Sequence, residues 1–285
     1  MSQIKDKEDE QNREHCCTKK INDDDKEKEI TDITDESSVI LQQFRTYATE
    51  LDDKHDRFER IVKFGRDITI ESKRIIFLLH TIDKKSKQES VLSEADMRLQ
   101  KVARTLFKSI AHELEDQDPY LYLKAYRNGL EEYIEAVTFY QYLNCDDMKS
   151  WLEIGKTLTY RIPKIINDKM VQVLVSPHEY ILGIADLTGE LMRMCISNLA
   201  RGDKDKCYQT CNFVRDIYKC FLGCTNASNR LMNRKLYTLE QNLHKIENAC
   251  YAINVRGSEI PKHILVDLVV SEEYAADSDE SYHAY

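Results

Sequence analysis

Four carboxylates in two short segments have the spacing of paired metal ligands. Glu132 and Glu135 are three residues apart, and Asp186 and Glu190 are four apart, so each pair shares one face if its segment is helical. Both segments are otherwise strongly apolar, and an unpaired carboxylate is costly to bury there. If the two helices pack together, four like charges converge and cannot all stay ionised without a cation. The spacing therefore predicts a divalent cation site between two helices.

The ligand chemistry narrows the choice of metal. Oxygen-only ligands favour a hard cation, and Mg²⁺ is the commonest choice for phosphate chemistry, with Mn²⁺ as the alternative. A di-iron helical bundle requires a Glu-x-x-His motif on two helices, and neither acidic segment has a histidine at that spacing. The competing interpretation is structural. Carboxylate pairs of this kind are commonly surface features, and Arg193, one turn after Glu190, could neutralise that group in an ion pair.

Two helices must position these groups. Asp118, followed by proline, predicts the start of a helix that continues to about residue 143. Ser176, also followed by proline, predicts the N-cap of a second helix, which ends at Gly202. Gly183 and Gly189 lower the helix propensity of that second segment. Their lack of a side chain predicts the close approach of a neighbouring segment or a ligand.

The rest of the chain also has the composition and periodicity of helices. Only 8 Gly and 4 Pro occur among 285 residues, which is typical of a helical protein with few tight turns. Further helices are predicted at about 37–83, 90–115, 204–222 and 228–254, and residues 144–175 predict a broken helix with a partly extended connector. The first of these helices carries a seven-residue repeat that predicts packing against other helices: Ile61, Ile68, Ile75 and Ile82. We therefore predict an all-α fold.

Charge divides the chain into a body and two tails. Residues 1–36 carry 13 acidic and 7 basic side chains, and residues 271–285 carry 5 acidic and no basic ones. Such charged segments predict disorder, which leaves one domain at 37–270 with a net charge of +2 in a chain of net charge −9. No apolar run is long enough to span a membrane. Nine scattered cysteines, without zinc spacing or an export signal, predict free thiols in a reducing compartment.

Several segments resemble the translin family. The similarity is carried by ESKRIIFLLH at 71–80, GLEEYIEA at 129–136 and YILGIADLTGELMR at 180–193, the last being the longest and most specific. Three C-terminal segments resemble a paralogue of translin and not translin itself: residues 235–239, 245–252 and 255–263. The resemblance covers roughly residues 38–268. It implies a single helical-bundle domain of about seven helices that assembles with translin into a closed hetero-oligomeric barrel.

The same resemblance implies a function and a set of site residues. It implies a Mg²⁺-dependent endoribonuclease subunit that cleaves single-stranded RNA and promotes RNA silencing by degrading cleaved passenger strands, in the cytoplasm and nucleus. The acidic residues of the family match Glu132, Glu135, Asp186 and Glu190. We expect Glu135 and Glu190 to bind the metal directly or through water, and the other two to complete the site or orient a water. Attack by water at phosphorus predicts 3′-hydroxyl and 5′-phosphate ends.

Two other classes of function remain open. A non-catalytic scaffold that stabilises translin would need the same isoleucine repeat for assembly. A plain nucleic-acid-binding module would be favoured if a chelator left every activity intact. Retention of Mg²⁺-dependent RNA cleavage after Glu135→Ala would favour the scaffold over the nuclease. With a charge of only +2 on the body, we expect the partner to supply much of the basic surface that binds RNA.

Overall fold

Seven helices and one small sheet make up the described part of the protein. The computed structural model describes residues 38–82, 85–145, 147–163, 168–224 and 230–256. The predicted all-α fold of about seven helices is confirmed. The helices are α1 (Val39–His80), α2 (Lys85–Val102, π-helical Ala103–Phe107 and Lys108–Glu113), α3 (Pro119–Asn144), α4 (Trp151–Thr157), α5 (Pro177–Arg201), α6 (Lys204–Gly223) and α7 (Arg230–Arg256).

The chain divides into two compact units, Met1–His55 and Asp56–Tyr285. Helix α1 begins in the first unit and continues into the second. The four predicted site residues all lie in the second unit. The predicted domain limits of 37–270 stay a prediction.

The isoleucine repeat of α1 determines which of its faces is buried. Ile61, Ile68 and Ile75 are fully buried and belong to the main hydrophobic core. Ile82 lies two residues beyond the end of the helix and is only partly buried. The predicted packing of this repeat against other helices is confirmed for the three residues inside the helix.

Capping residues begin and end the two acid-bearing helices where the sequence predicts. The Asp118 side chain accepts a hydrogen bond from the Tyr120 amide at the start of α3. The Ser176 side chain accepts one from the His178 amide at the start of α5. Helix α5 ends at Gly202, whose φ of 76° is left-handed and suits glycine. These caps fix where each helix starts, and so which face carries its carboxylates.

Glycines allow α3 to approach both α1 and α5 closely. A Cβ on Gly129 of α3 would lie 2.5 Å from the Gly65 carbonyl oxygen of α1. A Cβ on Gly183 of α5 would lie 2.9 Å from the Glu131 carbonyl oxygen of α3. The predicted close neighbour is therefore confirmed at Gly183. The prediction of a close protein neighbour is wrong at Gly189. The nearest atom to a Cβ added there would be 3.6 Å away, which is an ordinary van der Waals contact.

Residues 144–175 add a short sheet to the helical fold. Helix α4 is followed by two antiparallel strands, β1 (Thr159–Ile162) and β2 (Lys169–Gln172), with Thr159 opposite Gln172. The Tyr160 hydroxyl of β1 donates a hydrogen bond of 2.6 Å to the Ala103 carbonyl in the π-helical turn of α2. This bond ties the sheet to α2. The predicted broken helix and partly extended connector are confirmed.

Both predicted tails, at 1–36 and 271–285, lie outside the described residues, as does the segment from 257 to 270. None of the described helices has the length and apolar character needed to cross a membrane. The seven cysteines in the described ranges carry free thiols.

Candidate metal centre

The packing of α3 against α5 brings the four predicted carboxylates into one electrostatic cluster. Glu135 lies at its centre and is only 7% exposed. Burial raises the pKa of Glu135 to about 9, and the charges of Asp186, Glu132 and Glu190 act in the same direction. The two predicted pairs therefore lie close enough for their charges to interact, as expected if the two helices pack side by side.

Glu135 differs from the other three carboxylates in having no close partner. Within the described ranges, its carboxylate forms no hydrogen bond and no ion pair. The charge of Lys235 lowers its pKa, but burial and the three neighbouring carboxylates outweigh that effect. A buried carboxyl group in this setting must hold a proton or lie beside a cation.

Asp186 is bound by a lysine from the C-terminal helix. The Lys235 ammonium of α7 donates hydrogen bonds to both carboxylate oxygens of Asp186 on α5. The Lys235 side chain is 18% exposed and the Asp186 side chain 31%. This partly buried ion pair places a fixed positive charge inside the carboxylate cluster.

Glu190 contacts a histidine and an arginine. His80 Nε2, at the end of α1, lies 2.5 Å from Glu190 Oε2, and Arg193 Nη1 lies 3.2 Å from the same oxygen. Burial raises the pKa of Glu190, but the hydrogen bond with His80 and the Arg193 charge outweigh it, so the net pKa is lowered. The ion pair between Glu190 and Arg193, which was the competing structural interpretation, is therefore present. The contact with His80 was not predicted.

Glu132 lies at the outer edge of the cluster. Lys73 Nζ of α1 lies 3.1 Å from Glu132 Oε1. Burial raises the pKa of Glu132 and outweighs the effect of Lys73. The hydrogen bond with Glu132 in turn raises the pKa of Lys73. Helix α1 therefore supplies a partner to each predicted pair, Lys73 to the first and His80 to the second.

A fifth buried carboxyl group lies beside the predicted four. Glu131 of α3 is 8% exposed, and its Oε1 is buried without a hydrogen-bond partner among the residues that the structure describes. Burial raises the pKa of Glu131 to about 7. Further along the same interface, Arg127 Nε lies 3.1 Å from Glu179 Oε1. The α3–α5 interface is therefore lined by ionisable groups over several turns.

The cluster is not a ready-made metal cage. In the described parts of the chain, no three or more Asp, Glu, His or Cys side chains are arranged to hold a metal ion. Side chains of the protein itself contact the carboxylates instead: Lys235, His80 and Lys73. The donor set still fits a hard divalent cation, because it consists of carboxylate oxygens and includes Glu135, which has no hydrogen-bond partner among the described residues. The metal and the ligand roles stay predictions.

An open cavity of about 460 Å³ adjoins this cluster on the side of α1. Phe77, four residues after Lys73 on the same helix face, is 75% exposed at the cavity. The lining combines three cationic side chains with apolar ones: Lys73, Arg74, Phe77, Leu78, Thr81 and Arg98. An exposed aromatic ring surrounded by cationic side chains, next to a cluster of acids, is suited to bind a single-stranded nucleic acid. The ring can stack on a base, and the cations can contact the phosphates.

The sequence pattern of the Translin family matches residues 56–257 of the chain, a range that includes both acid-bearing helices. The chain belongs to the translin family. The family resemblance carried by residues 71–80, 129–136 and 180–193 is thereby confirmed.

Curated relatives within the translin family bear the name Translin-associated protein X. The chain is 40% identical to the one from Rattus norvegicus over 86% of this chain and 89% of the relative. It is 41% identical to the one from Pongo abelii over 86% and 88%. A homologue from Schizosaccharomyces pombe is 27% identical over 76% and 90%. The predicted resemblance to a paralogue of translin is confirmed.

Solved structures show the same translin-type fold. The apo-NeC3PO crystal structure has a TM-score of 0.56 at 20% identity and covers 75% of this chain and 97% of its own. AfC3PO has a TM-score of 0.55 at 21% identity, covering 76% and 98%. The complex of AfC3PO with duplex RNA has a TM-score of 0.57 at 19% identity, covering 78% and 100%. At these identities the likeness establishes the fold.

Sequence reasoning on this translin-family chain missed the side chains that contact the carboxylates. His80 and Lys73 are seven residues apart and so share a face of α1, a signal that could have placed them together. That spacing could not have shown that this face of α1 contacts the carboxylates. Lys235 is 49 residues from Asp186 in the chain, and the segment 235–239 gives no indication of that contact.

Proposed function

We propose that this translin-family chain is the catalytic subunit of a Mg²⁺-dependent endoribonuclease that cleaves single-stranded RNA. The observation that carries the proposal is Glu135, a buried carboxyl group with a pKa raised to about 9, three acidic neighbours and no hydrogen-bond partner among the described residues. Burial of such a carboxyl group without a partner costs folding free energy, whereas a bound cation would give it a partner of opposite charge. Perturbed carboxylates of this kind are concentrated at functional sites.

The geometry of the cluster supports the proposed role of each residue. Glu135 and Glu190 would hold the cation directly or through water, and Asp186 and Glu132 would complete its surroundings or orient a water. When bound, the cation would supply electrostatic stabilisation at the scissile phosphate and a more acidic bound water. His80 contacts Glu190 and helps to keep it ionised and oriented, as outer-shell partners of metal ligands do.

The RNA would enter along the α1 side of the cluster. Phe77 offers an exposed ring for base stacking. Arg74 and Arg98 line the same cavity in surface ion pairs with Glu71 and Glu94, which the phosphate backbone would replace. These contacts read no base edge, so weak sequence preference is expected. A solved structure of the same fold, AfC3PO, is a complex with duplex RNA, which supports nucleic acid as the ligand class.

The proposed partner is translin, in a closed hetero-oligomer that promotes RNA silencing in the cytoplasm and nucleus by degrading cleaved passenger strands. The curated relatives are named as translin-associated proteins, which supports this partner. The first unit also exposes a stripe of large apolar side chains at helical spacing, which suits packing on another subunit. The stripe consists of Ile40, Phe44, Tyr47 and Leu51.

The second candidate function is a non-catalytic scaffold for translin. It is favoured by the ion pairs of Lys235 with Asp186 and of Arg193 with Glu190, which neutralise carboxylates without any metal, and by the hydrogen bond between His80 and Glu190. In that case the acidic cluster would only join α1, α5 and α7. The two functions make opposite predictions for RNA cleavage.

The test is cleavage of a labelled single-stranded RNA by the reconstituted hetero-oligomer. We expect EDTA to abolish cleavage and added Mg²⁺ or Mn²⁺ to restore it, with 3′-hydroxyl and 5′-phosphate product ends. A 2′,3′-cyclic phosphate product would mean that the RNA hydroxyl attacks, and the roles given above would be wrong. Nucleic-acid binding that persists in EDTA without any cleavage would favour a binding or scaffold subunit.

A further inference from the structure

Lys235 occupies a central position among the candidate metal ligands. Its ammonium donates to both oxygens of Asp186, and its side chain is only 18% exposed. It reaches this position from α7, a helix that carries none of the four carboxylates. An ammonium held by both oxygens of one carboxylate takes up much of the electron-pair capacity that a metal would use.

The influence of Lys235 extends beyond Asp186. Its positive charge also lowers the pKa of Glu131, Glu132 and Glu135. Lys73 contacts the outermost carboxylate, Glu132, with a side chain that is 64% exposed. Its charge also interacts with Glu135, Asp186 and Glu190. Lys235 differs from it in being more buried and in donating to both oxygens of one carboxylate.

A divalent cation and the Lys235 ammonium cannot both bind closely to the Asp186 carboxylate. Two positive groups held at one carboxylate repel each other, and the repulsion is large where water is partly excluded. The same ammonium stabilises the cluster when no metal is present, because it offsets part of the repulsion among the acids. Binding of a metal should therefore release Lys235 from Asp186.

We propose that Lys235 is a built-in counter-ion that competes with the divalent cation for Asp186 and so sets the metal affinity of the site. This inference rests on the proposed function, because it takes the α3–α5 carboxylates to be the metal site. Lys235 acts as a positioning residue: it holds Asp186 in place while the site has no metal, and it weakens binding enough that the site loads only at sufficient concentrations of divalent cation.

The first test measures Mn²⁺ affinity by electron paramagnetic resonance on the full chain in its hetero-oligomer. Lys235→Met removes the charge and keeps an unbranched side chain, and we expect Mn²⁺ to bind about ten-fold more tightly or better. Lys235→Arg keeps the charge and should stay near the wild-type affinity. Lys73→Met removes an equal charge from the exposed edge and should have a smaller effect. The Glu135→Gln complex provides the background of unrelated Mn²⁺ sites.

A second measurement uses the wild-type protein, so it does not depend on the folding of a variant. Acetic anhydride labels lysines, and an ammonium held in an ion pair reacts slowly. We expect the labelling of Lys235, followed by mass spectrometry, to rise several-fold when Mn²⁺ saturates the site. Exposed Lys219 serves as the internal reference, since its ion pair with Asp216 lies on the surface.

The outcomes separate this inference from the proposed function. If wild type binds Mn²⁺ above the Glu135→Gln background but Lys235→Met binds equally or more weakly, the competition is disproved while the metal site stands. Unchanged labelling of Lys235 in the presence of bound Mn²⁺ would lead to the same conclusion. If neither wild type nor Lys235→Met binds above background, the metal site itself fails, and the competition fails with it.

Discussion

His80 Nε2 at the end of α1 lies 2.5 Å from Glu190 Oε2 on α5, across 110 residues of sequence. Because outer-shell partners orient metal ligands, we expect His80→Ala to reduce RNA cleavage by about 10–100-fold. His80→Gln, which can still donate a hydrogen bond, should lose less. The rate of cleavage at saturating Mg²⁺ checks this expectation. His112→Ala, at an exposed position of α2, is the control and should retain wild-type activity; equal losses in both variants would refute the role of His80.

The raised pKa of Glu135 predicts how stability depends on pH. The folded protein retains a proton on Glu135 up to about pH 9, whereas the unfolded chain releases it near 4.5. The folded state therefore binds more protons in that window, and the free energy of unfolding of metal-free protein should fall as pH rises from about 5 to 9. Urea unfolding across this range measures the slope. Glu135→Gln should have a flatter profile, and an identical slope in the variant would rule out Glu135 as its source.

The contact between Gly129 and Gly65 predicts a strong steric effect of a single methyl group. A Cβ on Gly129 would lie 2.5 Å from the Gly65 carbonyl oxygen, so Gly129→Ala must push α3 away from α1. We expect a loss of about 1–3 kcal/mol in the free energy of unfolding.

Gly189→Ala is the matched control for that substitution. Its added Cβ would have its nearest neighbour at 3.6 Å. A helical glycine replaced without a clash should stabilise the protein by about 0.5–1 kcal/mol. Chemical denaturation of both variants would refute the packing argument if Gly129→Ala proved as stable as Gly189→Ala.

The N-cap of α5 contributes to stability and not to chemistry. The Ser176 side chain accepts a hydrogen bond from the His178 amide and donates one to Glu179. Ser176→Ala should lower the free energy of unfolding by about 1 kcal/mol. Cleavage per folded molecule, measured well below the unfolding temperature, should be unchanged. A large loss of activity at unchanged stability would contradict this division of roles.

The local signals in the sequence were sufficient to predict the acid-bearing helices. Asp118 and Ser176 cap α3 and α5 as their residue types require, and Gly202 ends α5 in the left-handed conformation that glycine favours. The buried repeat of α1 followed from its seven-residue spacing. The spacing of Glu132 with Glu135 and of Asp186 with Glu190 correctly placed each pair on one helix.

The parts that could not be predicted depend on contacts between distant segments. Lys235 and His80 reach the carboxylates only through tertiary packing, since 49 and 110 residues separate them from their partners. The strands β1 and β2 have four residues each, too few for a clear alternating pattern. The expectation of a close protein neighbour at Gly189 failed because a helical glycine has no sequence feature that distinguishes a tight contact from an ordinary one.

We propose that the α3–α5 carboxylates hold a divalent cation that is needed for RNA cleavage. The most direct measurement compares the initial rate of single-stranded RNA cleavage by hetero-oligomers that contain wild-type chain, Glu135→Gln or Glu89→Gln, all at saturating Mg²⁺. Glu89 is an exposed acid on α2 and serves as the charge-matched control. We predict a loss of about 100-fold or more for Glu135→Gln and a wild-type rate for Glu89→Gln. A wild-type rate for Glu135→Gln would disprove the metal-dependent nuclease and leave only an assembly subunit.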